Sequence, residues 1–133
     1  MTTKVQTAHT VIASQSLAAG GAALRGVLDC RAQDAGAVTG RIINGATGPT
    51  VQCVLRVYVA HHAGTVPAAG AEGPAQGDWK LVHEVGGGTL ANTTTRLPLW
   101  RFGPEVAFVQ VEAHGNTVQP VTVEAHATLT DYT

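Results

Sequence analysis

The C-terminal third of the chain is dominated by alternation between apolar and polar residues. Two segments, 107–114 and 121–129, place apolar residues at odd numbers and mostly polar residues at even numbers. A period of two over this length is typical of β-strands with one buried face. A turn-like stretch from His114 to Val118 separates them. The pattern therefore predicts that the two segments form a long antiparallel hairpin.

Six further segments are predicted to be strands, and no stretch has a convincing helical period. Thr50 to Ala60 is the clearest, with Leu55 and Val57 facing inward and Tyr58 facing outward. Thr89 to Leu99 contains Pro98, which cannot donate to a sheet ladder and so indicates an edge strand or a bent strand. The remaining segments are Lys4 to Ala13 (a second candidate edge), Ala22 to Cys30, Ala37 to Ile43 and Trp79 to Val85.

About eight short strands with turn signals between them predict an all-β protein. The expected architecture is an antiparallel two-sheet sandwich, of either the jelly-roll or the immunoglobulin-like type. The length of 133 residues predicts one domain spanning 1–133. His61 to Asp78 is a long run of Gly, Ala, Pro and Thr without a period. It is predicted to be a flexible loop that does not dock on its own domain but lies along a neighbour.

The two cysteines fall on the apolar phase of their segments. Cys30 accompanies Leu24 and Leu28, and Cys53 accompanies Leu55 and Val57. Buried free thiols are predicted, in preference to a disulfide bridge or a reactive nucleophile. The first ten residues are polar and no long apolar run follows, so synthesis in a reducing cytoplasm is expected, with no membrane contact.

The surface charge is unusually low. Net charge is −1 and charged residues make up 13% of the chain, whereas about a quarter is usual. No basic stripe is present, so nucleic acid is not an expected partner. A chain rich in Ala, Gly, Thr and Val with little charge suits a protein whose surface lies against other chains. A GC-rich genome would give the same composition.

A repeated tetrapeptide, Val-Glu-Ala-His at 111–114 and 123–126, is the one motif that suggests a metal site. In the predicted hairpin, Glu112 and Glu124 are offset by four positions, about 13 Å at roughly 3.3 Å per residue. Zinc requires its ligands about 2 Å from one ion. The prediction is therefore a solvated polar face, with no metal ligands.

Catalytic residues are not predicted anywhere in the chain. Ser14 and Ser16 are the only serines, and neither lies in a Gly-x-Ser-x-Gly turn. The adjacent His61 and His62 would point to opposite faces of a strand. No catalytic, cofactor-binding or metal residue is assigned, no cofactor is expected, and an enzyme is not predicted.

The near-neutral, strand-rich pattern with a polar N-terminus resembles a family of phage structural proteins. The family is the jelly-roll cement, or decoration, proteins that coat the capsids of tailed bacteriophages, with the strongest resemblance to those of short-tailed Bordetella phages. The stretches that carry the resemblance are Thr10 to Leu17, Ile42 to Thr50, Gly115 to Thr117 and Val121 to Ala125.

The resemblance implies a virion protein on the capsid exterior that binds the major capsid protein and pairs with itself as a homodimer. Two other functions are open: a neck, tail or fibre component of a phage, and a carbohydrate-binding sandwich module. In the cement interpretation, the 61–78 loop and the tip from Met1 to Thr3 are the expected capsid-gripping elements.

Overall fold

A computed structural model describes residues 3–61, 64–70 and 72–132 of the chain. Eight β-strands account for its regular structure, and the described residues form no helix. In chain order the strands are β1 (Lys4–Leu17), β2 (Leu24–Asp29), β3 (Ala35–Asn44), β4 (Val54–His61), β5 (Lys80–Gly86), β6 (Thr94–Phe102), β7 (Val106–His114) and β8 (Val121–Tyr132).

The strands form two four-stranded antiparallel sheets. The first sheet has the order β1-β8-β3-β6 and the second has the order β2-β7-β4-β5. Every connection crosses from one sheet to the other except the one between β4 and β5. This is the double-sheet arrangement of a jelly roll, so the predicted sandwich is confirmed and the immunoglobulin-like alternative is excluded.

Alternation along each strand builds the core, because odd and even residues point to opposite faces of a sheet. The inward residues of β7 and β8 illustrate this: Val109, Val111, Val123 and Ala125 are completely buried. Residues from both sheets interdigitate to form one main cluster. Its larger members include Ile42, Leu55, Leu97, Phe102 and Leu129.

The predicted hairpin between the last two strands is wrong. β7 lies between β2 and β4 in the second sheet, whereas β8 lies between β1 and β3 in the first. The connection between them crosses the end of the sandwich, with Gly115 and Val118 at positive φ. Buried Asn116 holds this connection, since its Nδ2 donates to Leu17 O at 3.1 Å and to Gln119 O at 2.9 Å.

The four edge strands meet in pairs along two seams. β1 and β6 are the edges of the first sheet, as predicted, and β2 and β5 are the edges of the second. At the β1–β2 seam, Gly26 lies directly against the carbonyl group of Val11. At the β5–β6 seam, His83 Nε2 lies 3.1 Å from Pro98 O.

The prediction of buried free thiols is confirmed. Cys30 and Cys53 are both free and buried. Burial raises the pKa of Cys30 to about 12 and that of Cys53 to about 11, since an apolar environment disfavours a thiolate. Neither thiol has the electropositive surroundings of a reactive cysteine.

The described part of the long loop does dock on its own domain, contrary to expectation. Trp79 Nε1 donates to Ala68 O at 3.0 Å, and Gly70 N donates to Gln110 Oε1 at 3.2 Å. Trp79 is completely buried against Tyr58 and Phe108, in a second cluster on the outer face of the second sheet. Tyr58 faces outward as predicted, but it is buried because this cluster covers it.

Candidate interaction surface

The histidines are spread over the molecule and do not gather into a site. Those that the structure describes lie on five different strands, while His62 falls outside the described residues. Within ranges 3–61, 64–70 and 72–132, no group of three or more His, Cys, Asp and Glu could hold a metal ion. The same ranges contain no helix that could span a membrane. The described histidines are His9, His61, His83, His114 and His126.

The two copies of the tetrapeptide lie on opposite outer faces of the sandwich. Glu112 projects from the second sheet and Glu124 from the first, because their neighbours Val111, Val123 and Ala125 fill the core between the sheets. The predicted offset between Glu112 and Glu124 along one hairpin is therefore wrong, because the two strands do not pair. The glutamates are separated by the thickness of the sandwich.

Glu112 belongs to a row of alternating charges across the second sheet. The register pairs Arg25 with Glu112, Glu112 with Arg56, and Arg56 with Glu84. Arg25 Nε lies 2.7 Å from Glu112, and Arg56 Nε lies 3.0 Å from Glu84. Opposite charges facing each other across strands stabilise their pairing. His114 Nε2 also lies 3.2 Å from Glu112.

Glu124 also has an arginine partner, on the first sheet. It forms an ion pair with Arg41 of β3, and His126 Nε2 lies 3.7 Å from its other oxygen. Both copies of the repeat thus place a glutamate on a central strand, where it is paired with arginine on one or both neighbouring strands. The repeat serves strand pairing on each face.

The outer face of the second sheet is partly covered by the protein itself. The 64–70 segment lies over β2 and β7, and the Arg31 guanidinium reaches from the end of β2 to Gly64 O at 2.8 Å. Arg31 also stacks over the Phe108 ring at 5.0 Å. The part of this face that lies under the 64–70 segment is therefore not available to another molecule.

The outer face of the first sheet is open and concave. Small residues of the central strands β8 and β3 form its floor: Ala35, Ala37, Thr128 and Thr130. Longer side chains of the edge strands and strand ends rise on both sides of this floor. We call the resulting groove the trough. Its volume is about 560 Å³. The side chains that form its rim are Lys4, Gln6, Leu99, Arg101 and Tyr132.

The charge on this face is predominantly positive. The register directs Lys4, Arg41, Arg96 and Arg101 outward, whereas Glu124 is the one outward carboxylate on the described residues of its four strands. Half of the eight Lys and Arg residues thus lie on one side of a chain whose net charge is −1. Lys4 and Arg101 are the two of these cations that line the trough, whereas Arg41 is paired with Glu124.

Two carboxyl groups lie beside the trough, at the end of the first sheet. Asp131 is hydrogen-bonded to Asp34, and this bond raises the pKa of Asp131, with burial and the negative charge of Asp34 acting in the same direction. Asp34 Oδ2 accepts a hydrogen bond from Tyr132 N at 2.6 Å. The pair fixes the end of β8, and with it the position of Tyr132 on the rim.

The sequence did not reveal the trough. Its residues come from all four strands of the first sheet and become neighbours only through the order β1-β8-β3-β6. The available signal was the presence of small outward residues, such as Ala35 and Thr128, on two strands that proved to be central. Without the strand order, these residues could not be combined into one surface.

Comparison with known proteins identifies the fold. No protein-family model matches the sequence, and no curated protein is significantly similar to it. A structure of infectious bursal disease virus, strain Gx, gives a TM-score of 0.58 with 11% identity, covering 96% of this chain and 32% of that chain. The VP2 subviral particle of infectious bursal disease virus gives 0.55 with 8% identity, covering 97% and 33%.

A prophage protein is also similar at a lower level. YomS, derived from the SPBc2 prophage, gives a TM-score of 0.47 with 16% identity, covering 98% of this chain and 97% of its own. The two viral structures share the sandwich fold with this chain, which spans about a third of their length.

Proposed function

We propose that this chain is a capsid decoration protein, one that binds the outside of a shell built by a major capsid protein and stabilises the virion by non-covalent contacts. The observation that carries the proposal is the open outer face of the first sheet, a broad concave surface that no other described part of the chain covers. The proposed role is structural and non-enzymatic, with the protein located on the capsid exterior.

The fold supports a role in a viral assembly. Jelly rolls form viral capsid and lectin domains, among others, and the VP2 subviral particle of infectious bursal disease virus shares this sandwich. A fold does not determine a function by itself. The resemblance to the cement proteins of tailed phages, including those of short-tailed Bordetella phages, points in the same direction.

Repetition makes a modest contact sufficient for this role. A shell offers many identical sites, and a protein that contacts more than one of them converts later contacts into intramolecular events. The low charge of the chain, 13%, suits a surface that lies against other chains. Stability of the particle would then come from the number of contacts and would need no chemical reaction.

Particles that lack this protein are expected to break at a lower temperature than complete particles. The test is to delete the gene from a phage that carries it and to follow DNA release with a dye during heating. Adding the purified protein back should restore the original release temperature. Equal release temperatures with and without the protein would contradict the cement role, and its detection only at a neck or tail would assign it there.

We further propose that the chain forms a homodimer through the β1 edge. Residues 4–8 are exposed on both faces although they pair with β8, and Val5 is 47% exposed. An edge strand presents unpaired backbone groups that a second copy can satisfy, and a two-fold axis is the commonest closed symmetry. The tip at Met1 and Thr2 lies outside the described residues.

Sedimentation should show a concentration-dependent shift to twice the mass of the single chain. Deleting residues 1–8 should favour the monomer, because the exposed end of β1 is lost while Ile12 and Leu17 keep their places in the core. A full-length protein that remains monomeric at high concentration would contradict the dimer.

A further inference from the structure

The trough on the first sheet has the form of a binding site for a chain segment. It crosses β1, β8, β3 and β6, a width of about 14 Å at roughly 4.8 Å between neighbouring strands. An extended segment of about four residues covers this width at about 3.3 Å per residue. Its volume of about 560 Å³ lies in the range of ligand sites, about 300–1,000 Å³.

We propose that the trough binds an extended acidic segment of a partner protein. That this partner is a shell protein rests on the function proposed above, whereas the chemistry of the segment rests on the trough itself. Lys4 and Arg101 stand on opposite rims, on β1 and β6, so carboxylates on a segment between them meet a cation on either side.

The rest of the rim supplies apolar contacts. Leu99 and Tyr132 are 55% and 51% exposed, although both are large residues that contribute binding energy when a partner covers them. The alanines and threonines of the floor leave room for the backbone of a segment. Acidic residues alternating with small apolar ones would therefore match the surface.

The segment binds through side chains and does not extend the sheet. The central strands β8 and β3 are paired on both sides, so their backbone groups are already satisfied. Strand addition requires a free edge, and the trough lies on a face. Sequence preference is therefore set by charge and size, and the affinity should fall as salt screens the two cations.

The first test uses a blocked eight-residue peptide that alternates Glu with Val or Ala, together with the same peptide carrying Lys in place of Glu. The acidic peptide should shift the amide signals of residues 35–37, 99–101 and 128–132 in an NMR titration, and the Lys peptide should not. Arg101→Glu should weaken acidic-peptide binding by about tenfold or more, since it replaces attraction with repulsion at the rim.

Arg96→Glu is the matched control. Arg96 lies on the same strand as Arg101, and its replacement by Glu changes the charge by the same amount. Arg96 faces Arg41 and lies outside the trough. Binding by this variant should stay within about twofold of the unaltered protein, and both variants should remain folded at the temperature of the titration. Equal losses of binding in Arg96→Glu and Arg101→Glu would show a general charge effect and overturn the trough as the site.

Two other results would overturn the proposal: an acidic peptide that shifts no trough signals, or an oligosaccharide of uronic acids that fills the trough more tightly than the peptide. Cosedimentation with purified phage shells then separates the trough from the proposed function. Peptide binding without shell binding would support the trough and contradict the decoration role. If the unaltered protein does not bind the peptide and the Arg101→Glu variant still binds shells, the decoration role would stand and the trough would be excluded as the binding site.

Discussion

Replacing Trp79 with alanine is expected to destabilise the protein by about 3–5 kcal/mol, the usual cost of removing a large aromatic side chain from a core. Trp79 is completely buried, and its indole group joins Tyr58 and Phe108 to the described part of the loop. Its loss would leave a cavity on the outer face of the second sheet. The free energy of unfolding, measured in urea, checks this value.

The same substitution is expected to release the 64–70 segment from the sheet. The hydrogen bond from Trp79 Nε1 to Ala68 O is lost, so the loop should be cut faster by a protease at low concentration. Trp79→Phe keeps an aromatic ring in the cluster but removes the hydrogen bond and part of the indole volume, so its cost should lie between about 1 kcal/mol and the cost of Trp79→Ala. Leu90→Ala is the control, because Leu90 is 73% exposed. A Trp79→Ala protein as stable as this control would contradict the prediction.

Gly26→Ala is expected to open the seam between β1 and β2. A Cβ atom at this position would lie far inside van der Waals contact with the carbonyl oxygen of Val11. The position of the Cβ atom is set by the backbone of residue 26, and the oxygen belongs to the backbone of Val11. A rotamer change therefore cannot relieve the clash. The expected destabilisation is at the upper end of about 1–3 kcal/mol, the usual range for overpacking.

Gly45→Ala is the matched control for the seam. A Cβ atom at Gly45 would meet nothing within 4 Å, and its backbone does not require positive φ. This variant should therefore unfold within about 0.5 kcal/mol of the original protein. Hydrogen exchange should be faster along β1 and β2 in Gly26→Ala alone. Equal stability of the two alanine variants would show that the seam can relax and would contradict the prediction.

Local sequence patterns predicted a strand near each of the eight observed positions, although β6 runs from Thr94 to Phe102 and does not end at Leu99. They also predicted the sandwich class and the burial of both thiols. These features depend on which face of each strand is apolar, and the alternation of residues within a strand shows which face that is. Pro98 likewise indicated an edge or a bent strand, because proline has no N–H group to donate in a central ladder. Local chemistry was sufficient in each of these cases.

Strand pairing was decided only by the tertiary structure. The alternation in 107–114 and 121–129 shows that each segment has one buried face, and it is the same whether the two strands pair side by side or lie in opposite sheets. The buried amide of Asn116, bonded to Leu17 O on β1, is part of what makes the chain cross over instead of turning back. Such a contact joins residues far apart in sequence, and no local pattern specifies it.

The fate of the outward-facing residues also depended on the fold. The alternation placed Tyr58 and Thr128 on outer faces of the sheets. In the structure, the cluster around Trp79 covers Tyr58, whereas Thr128 lies in the open trough. Coverage depends on which distant segment lies above a face, and here it follows from hydrogen bonds such as that between Trp79 and Ala68. The sequence determined which residues point outward, whereas the tertiary structure decided which of them remain available to a partner, because covering segments are held by non-local contacts.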